Sequence, residues 1–171
     1  MLPLMTEKQP LPALLRAVVA AGCVIFAAGI VTLQALEAIN PKWILPLWLI
    51  WAVMTLIDGT LALALKLVTE IHPDGICVFF GPLGFPSKRF DWSEIARLYP
   101  RTYSPIIEYG GWGIRWGKSG TAYNLRGNQG LQLELKNGKR FLVGSQYPDK
   151  LIESIRSVAP PALLSTDPNP T

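Results

Sequence analysis

Two cysteines and a single histidine in 171 residues leave little from which to assemble a metal centre or a nucleophilic site. His72 has no cysteine or acidic cluster beside it in the sequence, so it reads as a strand-end or turn residue, not as a zinc ligand or half of a catalytic dyad. Glu94, Glu108 and Glu134 are too scattered to read as a carboxylate pair. Gly110, Gly111, Gly113 and Gly117 are followed by no Gly-Lys-Ser/Thr and open no helix; bulge and turn roles fit them better than a phosphate-binding loop. No catalytic residue, metal or cofactor is expected, nor a nucleic-acid partner.

Charge is scarce as well. Only 16% of residues are charged, below the roughly 25% of a soluble domain, while half are hydrophobic. The deficit is local: between residues 17 and 65 only Glu37, Lys42 and Asp58 carry charge, whereas residues 66–171 hold thirteen Lys or Arg against nine Asp or Glu. Two apolar runs, 17–36 and 43–65, account for it. About 20 apolar residues at 1.5 Å each match a hydrocarbon layer roughly 30 Å thick. The first run exceeds the roughly 7–15 residues of a leader's apolar core and is followed at once by the second, so a retained hairpin over residues 15–66 is expected in place of a cleaved signal. The bridge from Glu37 to Lys42, with Asn40 and Pro41, is short enough to be a turn between antiparallel helices.

A hairpin puts both termini on one side. Lys8 and Arg16 precede it and Lys66, Lys88 and Arg89 follow it, against Lys42 in the bridge, a bias that places the ends in the cytoplasm and the chain in the plasma (inner) membrane. Cys23 falls within a span and Cys77 outside the hairpin, so the two do not readily pair, which suits a reducing compartment.

Three features inside the hairpin invite a functional reading. Ala20, Ala21 and Gly22 recur as Ala27, Ala28 and Gly29, a stripe of small residues that serves either packing against the second span, the expectation adopted, or dimerisation. Trp43, Trp48 and Trp51 near the outer end of the second span mark a headgroup boundary, and Pro46 falls in its first turn. Asp58 is an acid at membrane depth, costly by about 2.5–3.5 kcal/mol on insertion scales. With no second buried acid or basic partner, it is expected at the boundary or in hairpin packing; a transport or proton-relay role would require oligomers.

After residue 66 the period becomes alternating, with turn signals every eight to twelve residues. Strands are expected over 67–72, 76–80, 88–92, 95–101, 113–116, 121–125, 131–135 and 140–143, with a loop around Ser104 and Pro105. Asn137-Gly138 specifies a tight hairpin turn. Residues 148–158 begin with proline, carry Asp149 early and align Leu151, Ile152, Ile155 and Val158, the pattern of an amphipathic helix. Residues 1–14 are expected as an N-terminal tail, 67–158 as a domain able to fold alone, and 159–171, with four prolines, as a disordered tail.

The segment Gly110 to Trp116 (GGWGIRW), Gly127-Asn128, the run LQLELKNGKRFLVGSQ from Leu131 to Gln146 and the proline-initiated helix, all behind a two-span hairpin, resemble the bacterial pleckstrin-homology-like membrane proteins. The resemblance covers residues 67–158. It implies an α+β membrane protein: a hairpin followed by a small antiparallel β-barrel or sandwich closed by a C-terminal helix. The family has no common catalytic residues, so it implies a scaffold.

One basic and aromatic patch is singled out. Alternation places Trp112, Ile114 and Trp116 on one side of a strand, with the tryptophans expected in the core, and Arg115 on the other, with Lys118 and Arg126 close along the chain. Such residues are candidates for contact with anionic lipid or a partner. The expected function is a non-enzymatic, membrane-anchored cytoplasmic module for protein interaction, regulation or inner-leaflet contact. Its partners would be the bilayer and a membrane protein or a second copy of the chain.

Overall fold

The computed structural model describes residues 2–164, which divide into two compact units: residues 11–65, and the residues up to Pro10 together with those from Lys66 onward.

The first unit is a helical hairpin. Helix α1 runs Ala13–Ala35 and α2 runs Ile44–Ala64, with a 3-10 turn at Pro41–Trp43 whose start is capped by the Asn40 side chain. Both helices are long and apolar enough to cross a membrane. Their outward surfaces are almost wholly apolar and exposed, including Leu14, Val24, Phe26, Leu45, Val53 and Leu63, an area that a soluble monomer does not leave uncovered. Two of the three hydroxyls are satisfied within their own helix, where Thr32 Oγ1 donates to the Ala28 carbonyl at 2.9 Å and Thr60 Oγ1 to the Leu56 carbonyl at 2.7 Å, while Thr55 Oγ1 is buried without a partner.

The second unit holds nine strands in two sheets, against the eight that the sequence pattern predicts. Strands β1 (Met5–Pro10), β2 (Lys66–His72), β3 (Gly75–Gly81) and β4 (Ser87–Asp91) form one antiparallel sheet in that order. Strands β5 (Ile95–Thr102), β6 (Gly113–Gly117), β7 (Gly120–Asn124), β8 (Gln129–Leu135) and β9 (Arg140–Gly144) form the other, in the order β5-β8-β9-β7-β6. No barrel closes among the described residues. The arrangement is sandwich-like, and its β7–β9 pairing is parallel, so the sheet is mixed where an antiparallel one was expected. Strand β9 starts beside β4, with the Phe141 ring 4.9 Å from that of Phe90, and ends beside β1, where the Gly144 carbonyl accepts from Gln9. Since β1 and β4 are opposite edges of the first sheet, β9 crosses it from edge to edge. Between the layers lie Ile71, Ile76, Val78 and Phe90 from one sheet and Leu98, Leu131, Leu133 and Val143 from the other, while Leu142 packs on the outer face with Tyr103, Tyr109 and Ala122.

Helix α4 (Pro148–Arg156) buries Leu151, Ile152 and Ile155, as its pattern predicts, against β2, β5 and β8. The Asn137-Gly138 turn is a longer version of the expected one: the Leu135 amide pairs with the Lys139 carbonyl, and only Gly138 takes positive φ. A short helix, α3 (Pro105–Tyr109), stands where a loop was expected, started by Pro105 and ended by Gly110 in the left-handed region.

The N-terminal segment is not a tail. Six of its residues form β1, and it was missed because its inward positions, Glu7 and Gln9, are polar and give no apolar alternation. Its registers with β2 run from Met5↔Ile71 to Pro10↔Lys66. The domain therefore starts before the hairpin, and residues 67–158 lack one of its strands. At the other end, Pro161–Leu163 form a 3-10 turn and Leu164 bridges to Leu98, so the expected tail begins in contact with the domain; residues 165–171 lie outside the described part.

Candidate functional site

In the hairpin, Asp58 sits half-buried on the side of α2 that carries Trp51 and Thr55. Together with Gly22, Cys23 and Phe26 of α1 these residues line a shallow, mostly apolar crease of about 250 Å³, where the Trp51 indole donates to the Cys23 carbonyl at 2.9 Å. This fits the packing role expected for Asp58. The small-residue stripe behaves differently. Val19, Cys23, Ala27 and Ile30 line the packed side of α1, while Ala20, Ala21, Gly22, Ala28 and Gly29 are exposed, and space is open around the Cβ positions of Gly22 and Gly29. Ala27 is half-buried and Ala20 and Gly22 border creases shared with α2, while Ala21, Ala28 and Gly29 are exposed, so the stripe serves packing within the hairpin only in part.

In the β domain the three basic candidates are all exposed but do not converge. Lys118 lies in the β6–β7 turn, closed by the pair Gly117↔Gly120, and Arg126 follows β7 beyond the opposite end of that hairpin, where Gly113 pairs with Asn124. At about 3.3 Å per residue the two ends are some 13 Å apart along the strands. Arg115 lies between them, and its Nε donates to the Trp112 carbonyl at 2.9 Å. Lys118 has other basic neighbours: with Lys139 and Arg140 it borders a shallow depression, and the Arg140 guanidinium donates to its carbonyl at 3.0 Å. The sequence separates these residues by two strands, which is why they did not read as a cluster.

The tryptophans are not core. Trp116, in β6 at the edge of its sheet among the described residues, is 78% exposed, and Trp112, the residue before β6, is 41% exposed. Helix α3 packs against the end of β6 so closely that a Cβ on Gly117 would lie 2.1 Å from the Glu108 carbonyl oxygen, and α3 exposes Ile106 and Ile107. Two adjoining elements thus present four large apolar side chains around an unpaired strand edge. The anchor of α3 is Glu108, which accepts from the Ser104 amide at 2.8 Å and pairs with Arg101. Burial pushes its carboxyl up, but the Ser104 amide and the Arg101 guanidinium outweigh that and hold it below the usual carboxylate range.

No family model matches the chain, and no curated protein or solved structure matches it. Geometry alone carries the functional reading.

Among the described residues no group of three or more His, Cys, Asp or Glu could hold a metal ion. His72 stands at the end of β2 with its ring 3.1 Å from the Glu70 carboxylate, and Glu134 is taken up by Arg97 and Tyr99. What the sequence did not reveal is a buried polar lock. Glu7, 5% exposed, accepts from Gln9 Nε2 at 3.1 Å, Ser145 Oγ at 2.7 Å and the Gln146 amide at 2.7 Å. Gln9 also donates to the Gly144 carbonyl at 2.7 Å, so both inward side chains of β1 are bound to the end of β9.

Proposed function

We propose that the chain is a non-enzymatic module held at the cytoplasmic face of the inner membrane, built on a pleckstrin-homology-like scaffold, which docks a protein partner on the α3–β6 edge. The observation that carries this reading is the pairing of Pro10 with Lys66. It makes the apolar hairpin an insertion between two neighbouring strands, so the β domain is joined to the hairpin through two chain connections. A domain connected twice to an apolar hairpin is suited to work near a bilayer. Two packed sheets and the amphipathic closing helix support the scaffold assignment, and the exposure of Ile106 and Ile107 on α3 and of Trp112 and Trp116 beside or on β6 supports a docking edge, since aromatic side chains are enriched at protein interfaces.

Orientation is tested with single cysteines at positions 8, 40 and 137 in a Cys-free chain, exposed in intact cells to an impermeant thiol reagent. Label at 40 with protection at both 8 and 137 is expected; label at 137 would place the domain outside. For docking, a photo-cross-linking residue at Trp116 in the full-length chain should capture one protein reproducibly and lose it when Ile107→Ser is added. Cross-links to lipid alone would overturn the docking assignment.

A further inference from the structure

The largest exposed side chains of the first sheet cluster at one of its ends. Leu83 is 90% exposed and Phe85 80%, both on the loop that joins β3 to β4. From Gly81 to Pro86 this loop holds no charged residue, and it is closed at its base by the Phe80 amide donating to the Pro86 carbonyl at 3.3 Å. An exposed leucine and phenylalanine without a polar neighbour between them are unusual on a surface that faces only water.

The strand registers fix where this loop lies. Gly81 pairs with Lys66, and Lys66 pairs with Pro10, so the three residues form one row across β3, β2 and β1. Pro10 is the last residue before the hairpin and Lys66 the first after it. With strands about 4.8 Å apart, the loop leaves the sheet one strand spacing from the point where α2 rejoins it and two from the point where the chain departs for α1. The opposite end of the same strands, the Pro73-Asp74 turn, lies about 20 Å away by strand rise and carries charge in place of bulky apolar side chains. Lysines flank the loop on both sides: Lys66 beside Gly81, and exposed Lys88 one residue into β4. An apolar tip between cations is the composition that suits the layer between acyl chains and anionic headgroups.

We infer that Leu83 and Phe85 insert into the interfacial layer of the same bilayer that the hairpin crosses, giving the β domain a third attachment point besides its two chain connections. The occupant of this loop is lipid. The inference rests on the spanning reading of the hairpin, and its test separates the two.

The full chain, with Cys23→Ser and Cys77→Ser, is labelled at a single cysteine at position 83, 85 or 74 with a polarity-sensitive fluorophore. It is then reconstituted in phosphatidylethanolamine–phosphatidylglycerol vesicles containing a shallow nitroxide lipid. Blue-shifted emission and nitroxide quenching are expected at 83 and 85, with water-like emission at 74. Water-like emission at 83 and 85, in vesicles from which alkaline carbonate does not release the protein, overturns the loop inference and leaves the spanning hairpin intact. Release by carbonate removes the spanning reading and the inference with it. A blue shift without quenching identifies a protein neighbour in place of lipid and also overturns it. Hydrogen exchange gives a measurement free of labels: the Leu83→Ser/Phe85→Ser chain should lose the protection that vesicles confer on amides 81–86, and unchanged protection counts against insertion.

Discussion

Glu7 has a consequence out of proportion to its place near the start of the chain. Its carboxylate receives three hydrogen bonds in a nearly water-free position, so Glu7→Ala strands the Ser145 hydroxyl and the Gln146 amide and leaves Gln9 Nε2 with the Gly144 carbonyl alone. A loss of about 2–3 kcal/mol is expected, read as a lower denaturation midpoint of the detergent-solubilised chain, with Glu7→Gln recovering part of it. Tyr103 is the second residue with a measurable signature. Burial pushes its hydroxyl up to about 12, while the Asn124 amide opposes this without reaching hydrogen-bond geometry. Folding thus raises the affinity of Tyr103 for its proton. The associated stability is complete below about pH 10, the unfolded value, and falls as pH climbs toward 12. The Tyr103→Phe chain should show a flatter decline across that window when midpoints are measured at successive pH values.

At the scale of elements, what the sequence disclosed followed the strength of the periodic signal. Eight of the strands and helix α4 carry an apolar alternation or an amphipathic face, and they were legible to within a residue or two. Strand β1 was not, because Glu7 and Gln9 replace the apolar residues that mark an inward face, and their partners at 144–146 are more than 130 residues away. Helix α3 is too short for a period to show, although Pro105 and Gly110 mark its ends. The basic patch failed for a related reason: neighbours along the chain sit at opposite ends of the β6–β7 hairpin, whereas Lys118 finds Lys139 and Arg140 through sheet pairing. Within α2, Asp58 belongs to the packed crease, so Asp58→Asn should leave expression and oligomer size unchanged on detergent sizing columns. Loss of a larger assembly on that substitution would bring back the transport alternative, in which Asp58 is shared between chains.

The molecule as a whole has a chain path that dictates which fragments are viable. A fragment of residues 67–158 omits β1, leaves the β2 edge unpaired and strands the 144–146 partners of Glu7 and Gln9, so it should aggregate. By contrast, Pro10 and Lys66 are directly opposed, and antiparallel partners lie about 4.5–5.5 Å apart, a gap that a two-residue turn closes. Replacing residues 11–65 with Asn-Gly should yield a soluble, cooperatively unfolding domain, checked by sizing and thermal melting. An insoluble product would show that the hairpin does more than interrupt a strand pair.

The same pairing sets a timetable for synthesis. Strand β1 leaves the ribosome before its partner, which emerges only after both apolar helices have been made, a wait on the order of seconds at about 5–20 residues per second. During that interval the β1 strand has nothing to join. If only one helix crossed the bilayer, β1 and β2 would be stranded in different compartments and the first sheet could never close. A closed first sheet therefore requires that the two helices cross together or not at all, and a chain with one helix across would be marked by an open sheet edge.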